Sequence, residues 1–255
     1  MKSRLPVVLT IAGFDPSGGA GIIADVSTIV RFGCRPAAAI TSLTFQNSAG
    51  VFGSIHETAR SLRAQIAPII EEMDVAAVKI GMLPTAELVS EVAGMIEAKR
   101  LPAPVFDPVM KSSSDYELME RDALALVKRE LLPLLRLITP NISEAATLSG
   151  VEIVDEQGMR EAADNLRQLG ARAVLIKGGH LEQESGENAE AIDILADDGG
   201  VTVFRGAWLE AEPVRGTGCM LSSAIAAGLA NGVSLSEAIA AAKQFVAGEI
   251  QNSKF

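Results

Sequence analysis

Residues 213–232 read PVRGTGCMLSSAIAAGLANG, and the interpretation of the chain starts from this stretch. Its GTGC segment, Gly216–Cys219, predicts a tight turn, and the Ala-, Leu- and Ile-rich run from Met220 predicts a helix. The first turn of a helix has N–H groups without intrahelical partners, and its dipole adds partial positive charge, so this end attracts phosphate. Cys219 lies in that field, which predicts a lowered thiol pKa. A packing turn with a small buried cysteine is the alternative, and these residues alone leave both open.

Composition narrows the class of protein. The 255 residues are enough to bury a substantial core, and 48% of them are hydrophobic, which is typical of a compact enzyme-like domain and argues against disorder. A net charge of −10 argues against nucleic acid or an anionic membrane as a partner. An anionic substrate would therefore need a local positive site. Two cysteines and two histidines provide neither a disulfide framework nor a zinc site.

No segment predicts export or membrane insertion. The apolar run near the amino terminus is too short for a signal peptide, and no stretch reaches transmembrane length without polar residues. We therefore expect a cytoplasmic protein.

Short apolar runs alternate with segments of helical periodicity. The predicted strands are Leu5–Ala12, Pro36–Phe45, Val75–Ile80, Pro104–Phe106, Leu137–Thr139 and Ala173–Lys177, followed by a hairpin of Ala191–Ala196 and Val201–Phe204. The predicted helices are Ile22–Phe32, Thr58–Met73, Pro84–Arg100, Arg121–Leu132, one beginning at Ser143, Asp155–Leu169, one from Met220 and Ser234–Gln251, with a polar loop at 182–190. This alternation predicts βαβ units and a mainly parallel sheet in a single domain, residues 1–255.

Unusual peptides follow most of the predicted strands. They are GFDPSGG, FQN, GML, DPVM, TPN and KGGH. Because ligands of parallel sheets bind beyond the carboxyl ends of the strands, this convergence predicts an active site there.

The motifs of several common enzyme classes are absent from the sequence. No GxxxxGK[ST] loop is present, and the glycines at 13, 18, 19 and 21 do not have the G-x-G-x-x-G spacing of a dinucleotide fold. Metal-hydrolase clusters and a G-x-S-x-G elbow are also missing. Two glycine-rich turns at helix starts, a strand-end Lys177 and strand-end acids remain. These are the groups that phosphoryl transfer requires.

Seven segments in order carry a family resemblance: AGFDPSGGAGIIAD, FQNSAGV, VKIGML, DPVM, LITPNISEA, LIKGGH and GTGC. They resemble the ribokinase-like hydroxymethylpyrimidine/phosphomethylpyrimidine kinases of thiamin biosynthesis, over about Leu5 to Ala247. The resemblance implies a mostly parallel central sheet with helices on both faces. It also implies ATP and Mg²⁺, with a monovalent cation left open, and phosphoryl transfer to a pyrimidine hydroxymethyl group or its phosphate.

The same resemblance assigns roles near the transferring phosphoryl group. Gly216, Thr217, Gly218 and Cys219 would form the anion hole, with Cys219 accepting the proton of the attacking hydroxyl, and Lys177 would neutralise phosphate charge. A solvated strand-end lysine is the alternative for Lys177.

Three further residues would serve the ATP and Mg²⁺ site. Asp107 and Glu144 would act on the metal through water, and Asn141 would orient the region. A first-turn helix acid is the alternative for Glu144.

For the pyrimidine, the resemblance nominates Gly13, Asp25, Gln46, Met82 and Val109. An aminopyrimidine has an edge with one donor and one acceptor, which Gln46 and Asp25 could satisfy while Met82 and Val109 cover the ring faces.

The sequence departs from the family pattern at three places. Phe14 and Arg215 stand where the family commonly has Ser and His, and the loop 111–119 has Ser113 where a lysine is usual, with Lys111 as a neighbouring substitute. Arg215 could favour a phosphorylated substrate. These departures concern substrate preference more than reaction type.

Two alternative functions remain open. A vitamin B6 kinase would act on pyridoxal or pyridoxine, which also bear a ring hydroxymethyl group. A non-catalytic pyrimidine-binding protein would keep the pocket without the reaction. A homodimer is implied by the resemblance alone.

Overall fold

Parallel strands connected by helices form the centre of the structure, a computed structural model that describes residues 5–112, 114–179, 190–207 and 214–252. The strands are β1 (Val7–Phe14), β2 (Arg35–Asn47), β3 (Gly50–His56), β4 (Val75–Ile80), β5 (Val105–Phe106), β6 (Leu137–Ile138), β7 (Val174–Lys177), β8 (Glu190–Asp197) and β9 (Gly200–Ala207). The helices are α1 (Gly21–Arg31), α2 (Ala59–Glu72), α3 (Ala86–Glu97), α4 (Arg121–Leu126), α5 (Ile142–Ser149), α6 (Glu156–Gln168), α7 (Thr217–Ala230) and α8 (Leu235–Asn252).

All these strands belong to one sheet, in the order β3-β2-β1-β4-β5-β6-β7-β8-β9. The strands from β2 to β7 in that order pair in parallel, whereas β3, β8 and β9 pair antiparallel. The prediction of a mainly parallel sheet with a hairpin is confirmed. The chain direction across the sheet reverses at β1, which lies between β2 and β4. Such a switch point opens a crevice beyond the carboxyl ends of these strands.

Helices cover both faces of the sheet, as the resemblance implied. Side chains alternate along a strand, so Val8 and Leu9 of β1 point to opposite faces. Leu9 packs in a cluster with residues of α2, α3 and α6, and Val8 in a second cluster with residues of α1, α7 and α8. In the part of the chain that the structure describes, no helix has both the length and the apolar character needed to cross a membrane.

Most element boundaries lie within three residues of the prediction, but the edge strand β3 was not predicted. Gly50–His56 pairs with β2 as an antiparallel hairpin. Its two glycines and its serine hid the strand pattern, because such residues weaken β propensity.

The predictions for two further segments were partly wrong. The helix expected over Arg121–Leu132 passes after Leu126 into a π-helical turn and then a 3-10 turn over Leu132–Leu134, where Pro133 has no N–H to donate. Glu190, assigned to a loop, begins β8, and residues 182–189 of that loop lie outside the described ranges.

A fully buried ion pair connects four elements beneath the switch point. Lys79 of β4 donates to both carboxylate oxygens of Asp25 in α1, at 2.8 and 2.7 Å, and neither side chain is exposed. Thr10 of β1 and Ser223 of α7 also donate to Asp25, at 2.6 and 2.8 Å. Because a buried charge is costly without partners, these four residues fix β1, β4, α1 and α7 to one another.

Removing one partner of this pair should destabilise the protein strongly. We expect Lys79→Met to lower the free energy of unfolding by about 3–5 kcal/mol, because Asp25 would stay buried without its counter-charge. The double variant Lys79→Met/Asp25→Leu should regain most of that loss. Urea denaturation measures both, with Lys128→Met, at a partly exposed lysine outside the pair, as the control. A loss below about 1 kcal/mol in Lys79→Met, as for a surface pair, would contradict this view of the pair.

Candidate active site

Two glycine-rich turns meet beyond the carboxyl end of β1. Gly216 has φ +77°, and a Cβ there would lie 2.1 Å from the carbonyl oxygen of Gly19. Gly21 has φ +57°, and its Cβ would lie 2.2 Å from the carbonyl oxygen of Gly13. Only glycine fits these contacts, so the backbones of the two turns pack directly together.

The second turn leads into α7 without a side-chain cap. The helix begins at Thr217 rather than Met220, with Gly216 as its N-cap. The first intrahelical hydrogen bond runs from the Met220 N–H to the Gly216 carbonyl at 2.8 Å. The N–H groups of Thr217, Gly218 and Cys219 precede this bond and have no acceptor within the helix. This is the geometry that an anion-binding helix terminus requires.

A lysine and a carboxylate lie against this first turn. Lys177 Nζ is 2.8 Å from Asp107 Oδ1, and a Cβ on Gly218 would lie 3.1 Å from Asp107 Oδ2 and 3.3 Å from Lys177 Nζ. Burial lowers the pKa of Lys177, but the charges of Asp107 and Glu144 outweigh it and raise that pKa above its ordinary value. Lys177 therefore stays protonated and is not a freely solvated strand-end lysine.

Glu144 and Asn141 form a capping box at the start of α5. The Asn141 side chain accepts from the Glu144 N–H at 2.9 Å, and the Glu144 carboxylate accepts from the Asn141 N–H at 2.8 Å. The pKa of Glu144 is raised to about 7, mainly by burial. The charge of Lys177 lowers this pKa, and the charge of Asp107 raises it. Glu144 is thus both a first-turn helix acid and a near neighbour of the Lys177–Asp107 pair.

The acids of this region could assist a metal ion without enclosing it. Within the described ranges, no group of three His, Cys, Asp or Glu side chains is placed to hold a metal. Asp107 and Glu144 provide two carboxylates near one lysine. This set fits Mg²⁺, which is commonly held by one or two carboxylates, water and substrate phosphates.

The predicted lowering of the Cys219 thiol pKa is wrong. The pKa of this thiol is raised to about 11, mainly by burial. The charge of Lys79 lowers this pKa, and the charges of Asp25 and Asp107 raise it. The Gly21 N–H donates a hydrogen bond to the sulfur, and this bond lowers the thiol pKa by less than the charge of Lys79 does. Desolvation therefore outweighs the favourable charges, and the thiol is neutral at pH 7.

Four of the five residues nominated for the pyrimidine lie at the same edge of the sheet. Gly13 contacts Met82, since a Cβ on Gly13 would lie 3.0 Å from the Met82 sulfur. Gln46 is near the end of β2, and Val109 follows β5 and donates to the Asp107 carbonyl at 2.8 Å. We take these four residues as the border of the crevice that is expected at the switch point.

Asp25 does not belong to that border. Its carboxylate has no exposed surface and is occupied by Lys79, Thr10 and Ser223. A direct contact with a pyrimidine, as predicted, would have to break this network, so the structure does not support that contact. Lys79 was missed as its partner. A lone lysine in the otherwise apolar strand Val75–Ile80 was the signal, because such a residue needs a buried counter-charge.

Arg215 is bonded to four neighbours, and its expected preference for a phosphorylated substrate stays a prediction. Its guanidinium donates to Asp15, Ser17, Gln46 and the Asn47 carbonyl.

Two other departures from the family pattern have a place in the structure. Lys111 forms an exposed pair with Glu117 at 3.0 Å, and Ser113 lies outside the described residues. Phe14 ends β1, and its carbonyl accepts from Thr44 at 2.8 Å.

Comparison with known proteins shows which family the chain resembles. A family model described as phosphomethylpyrimidine kinase matches residues 15–255. A hydroxymethylpyrimidine/phosphomethylpyrimidine kinase of Streptomyces coelicolor is 42% identical over 96% of this chain and 88% of that protein.

Solved structures are similar over almost the whole chain. The phosphomethylpyrimidine kinase of Clostridium difficile has a TM-score of 0.84 and 36% identity, over 96% of this chain and 99% of that one. The pyridoxal kinase of Staphylococcus aureus, solved with AMP-PCP and pyridoxal, has a TM-score of 0.87 and 30% identity, over 98% and 89% of the two chains. The fold, the strand-end site and these matches together establish that the chain belongs to the phosphomethylpyrimidine kinase family, with a ribokinase-like fold.

Proposed function

We propose that this chain is an ATP-dependent kinase of thiamin biosynthesis. It phosphorylates 4-amino-5-hydroxymethyl-2-methylpyrimidine, its monophosphate, or both, and residues 1–255 act as one domain. The observation that carries the proposal is the uncapped start of α7 placed against the Lys177–Asp107 pair at the switch point. Cys34 and Cys219 are free, which agrees with a reducing cytoplasmic location.

In this proposal the protein acts mainly by position and charge. Phosphoryl transfer passes through a loose transition state, so catalysis depends on holding the phosphates and neutralising their charge. The N–H groups of Gly216–Cys219 would receive the transferring phosphoryl group, and Lys177 would balance its negative charge. Asp107 and Glu144 would hold Mg²⁺ through water, Asn141 would keep Glu144 in place, and Mg²⁺ would add positive charge beside the phosphates. We assign no residue to a monovalent cation.

The pyrimidine would occupy the crevice between the ends of β2, β1 and β4. The Gln46 amide would bond to the aminopyrimidine edge, and Met82 and Val109 would cover the ring near Gly13. Asp25 would not touch the ring. Through its ion pair with Lys79 it would hold the strands beneath the crevice in place.

Pyridoxal is a second candidate substrate. The similarity to the Staphylococcus aureus pyridoxal kinase favours it, because that fold accommodates pyridoxal in that protein. A non-catalytic pyrimidine-binding protein is disfavoured, since it would have no need for Lys177 at the start of α7.

An ATP-consumption assay with three acceptors distinguishes these functions. We expect turnover with hydroxymethylpyrimidine or its phosphate and weaker turnover with pyridoxal. Lys177→Met should lower kcat about 10²–10³-fold, as loss of one transition-state donor commonly does, while pyrimidine binding persists. Lys128→Met, at a partly exposed lysine outside the site, is the control. Pyrimidine binding without turnover on any acceptor would refute the kinase proposal.

Cys219 would accept the proton of the attacking hydroxyl once the substrates are bound. The proposal requires positive charge to lower the pKa of the thiol from about 11, and a cation beside Asp107 would oppose the charge that raises it. We expect Cys219→Ala to keep ATP binding and lose most turnover. Near-normal kcat in that variant would make Cys219 a packing residue.

The ligand-free thiol should react slowly near neutral pH. In a Cys34→Ala background, the rate of Cys219 alkylation by iodoacetamide should rise about tenfold per pH unit from pH 7 to 10, because the thiolate fraction rises toward a pKa of about 11. A rate that levels off by pH 8 would contradict the raised pKa.

We also infer a homodimer through the edge hairpin. Leu43 and Phe45 of β2 and Phe52 and Ile55 of β3 are large apolar side chains with 40–68% exposure. An apolar patch at the open edge of a sheet is typical of an interface.

Ile55→Glu tests this interface without touching the site. The wild-type chain should sediment as a dimer and Ile55→Glu as a monomer, whereas Val30→Glu, an exposed position on α1, should remain dimeric. A monomeric wild-type chain would refute the inference.

A further inference from the structure

Arg215 joins three segments at the border of the crevice. It directly precedes the N-cap of α7, and its side chain reaches β2 and the loop after β1. Nη2 is 3.0 Å from Gln46 Oε1 and 3.3 Å from Asp15 Oδ2. Nη1 is 2.6 Å from the Asn47 carbonyl and 3.3 Å from Ser17 Oγ. The Asp15 side chain is 1% exposed, so the charge of Arg215 is paired with a buried carboxylate.

Chemistry decides which end of the Gln46 amide faces Arg215. A guanidinium has only donors, so it must meet the amide oxygen and not the NH₂ group. The Gln46 NH₂ therefore points away from Arg215. It makes no hydrogen bond to any other residue of the described ranges, and Gln46 is partly exposed at the crevice.

We propose that Arg215 is a positioning residue that fixes the orientation of the Gln46 amide and thereby selects the aminopyrimidine over pyridoxal. The inference rests on the proposed function, in which Gln46 contacts the substrate ring. A fixed amide presents its NH₂ group as a donor and its oxygen as an acceptor in a set order. The oxygen can accept from the substrate because Arg215 uses only one of its two lone pairs.

That order complements one of the two rings. Beside its hydroxymethyl group, the aminopyrimidine carries an amino donor followed by a ring-nitrogen acceptor. Pyridoxal carries an aldehyde acceptor followed by a phenolic group. An amide oxygen that receives the amino group would face the aldehyde oxygen in pyridoxal, and two acceptors repel. A free glutamine could turn over and accept either ring, whereas one held by Arg215 cannot.

Steady-state kinetics with Arg215→Met tests this inference. The KM for hydroxymethylpyrimidine should rise roughly tenfold, the effect of about one ordered hydrogen bond, while kcat and the KM for ATP stay within threefold. The preference for hydroxymethylpyrimidine over pyridoxal in kcat/KM should fall by a similar factor. Arg215→Lys should resemble Arg215→Met, because lysine lacks the planar fork whose two nitrogens bond Gln46 and the Asn47 carbonyl separately. Ser17→Ala, which removes an Arg215 contact but spares Gln46, should keep the wild-type KM.

Gln46→Glu separates the inference from the function on which it rests. Glutamate keeps an acceptor for Arg215 but loses the NH₂ donor, so the KM for hydroxymethylpyrimidine should rise at least tenfold. Adding Arg215→Met to it should raise KM no further. Circular dichroism melting confirms that each variant is folded before its kinetics are compared.

Three results would refute either the positioning role of Arg215 or the assignment of Gln46 to the substrate. A wild-type KM in Arg215→Met together with a raised KM in Gln46→Glu would refute the positioning role and leave the function standing. A wild-type KM in Gln46→Glu would refute the assignment of Gln46 to the substrate. A loss confined to ATP or to the phosphorylated substrate in Arg215→Met would place Arg215 on a phosphate instead.

Discussion

The buried Lys79–Asp25 pair is the constraint on which the candidate site depends. A charge without water requires a partner, and this one is satisfied only when α1, β4, β1 and α7 stand in one arrangement. Ser223, which donates to Asp25, lies one helical turn after Cys219 on the same side of α7. The pair therefore places the first turn of α7 and also sets the charges around Cys219.

Much of the fold could be predicted because its strands and helices follow from local sequence patterns. Apolar runs such as Val75–Ile80 and the turn residues between them determine a parallel sheet, and the strand-end peptides locate the site. The strand Gly50–His56 could not be found in this way, since its glycines weaken the pattern and its pairing with β2 decides its structure.

The site was predictable in composition but not in electrostatics. Glycine turns, Lys177 and Asp107 could be named from the sequence, and the structure places them together. Asp25 was misassigned because its partner Lys79 is 54 residues away in the chain, and no sequence pattern pairs the two residues. The pKa of Cys219 was misjudged because a helix terminus and burial act in opposite directions, and only the packed structure shows that burial is stronger.

The contact between the two glycine turns also has a consequence for how the protein matures. Asp15 and Arg215 are 200 positions apart, so their contact closes a loop of chain that contains the strands from β2 to β9. Contacts of such long sequence separation slow folding, because the entropy of loop closure is lost before the contact is gained. Helix α7 also supplies Ser223 to Asp25 and covers one face of the sheet, so a chain without α7 would lack part of the core as well as the candidate site. Order in the sheet and completion of the candidate site are therefore linked, and neither is expected without the other.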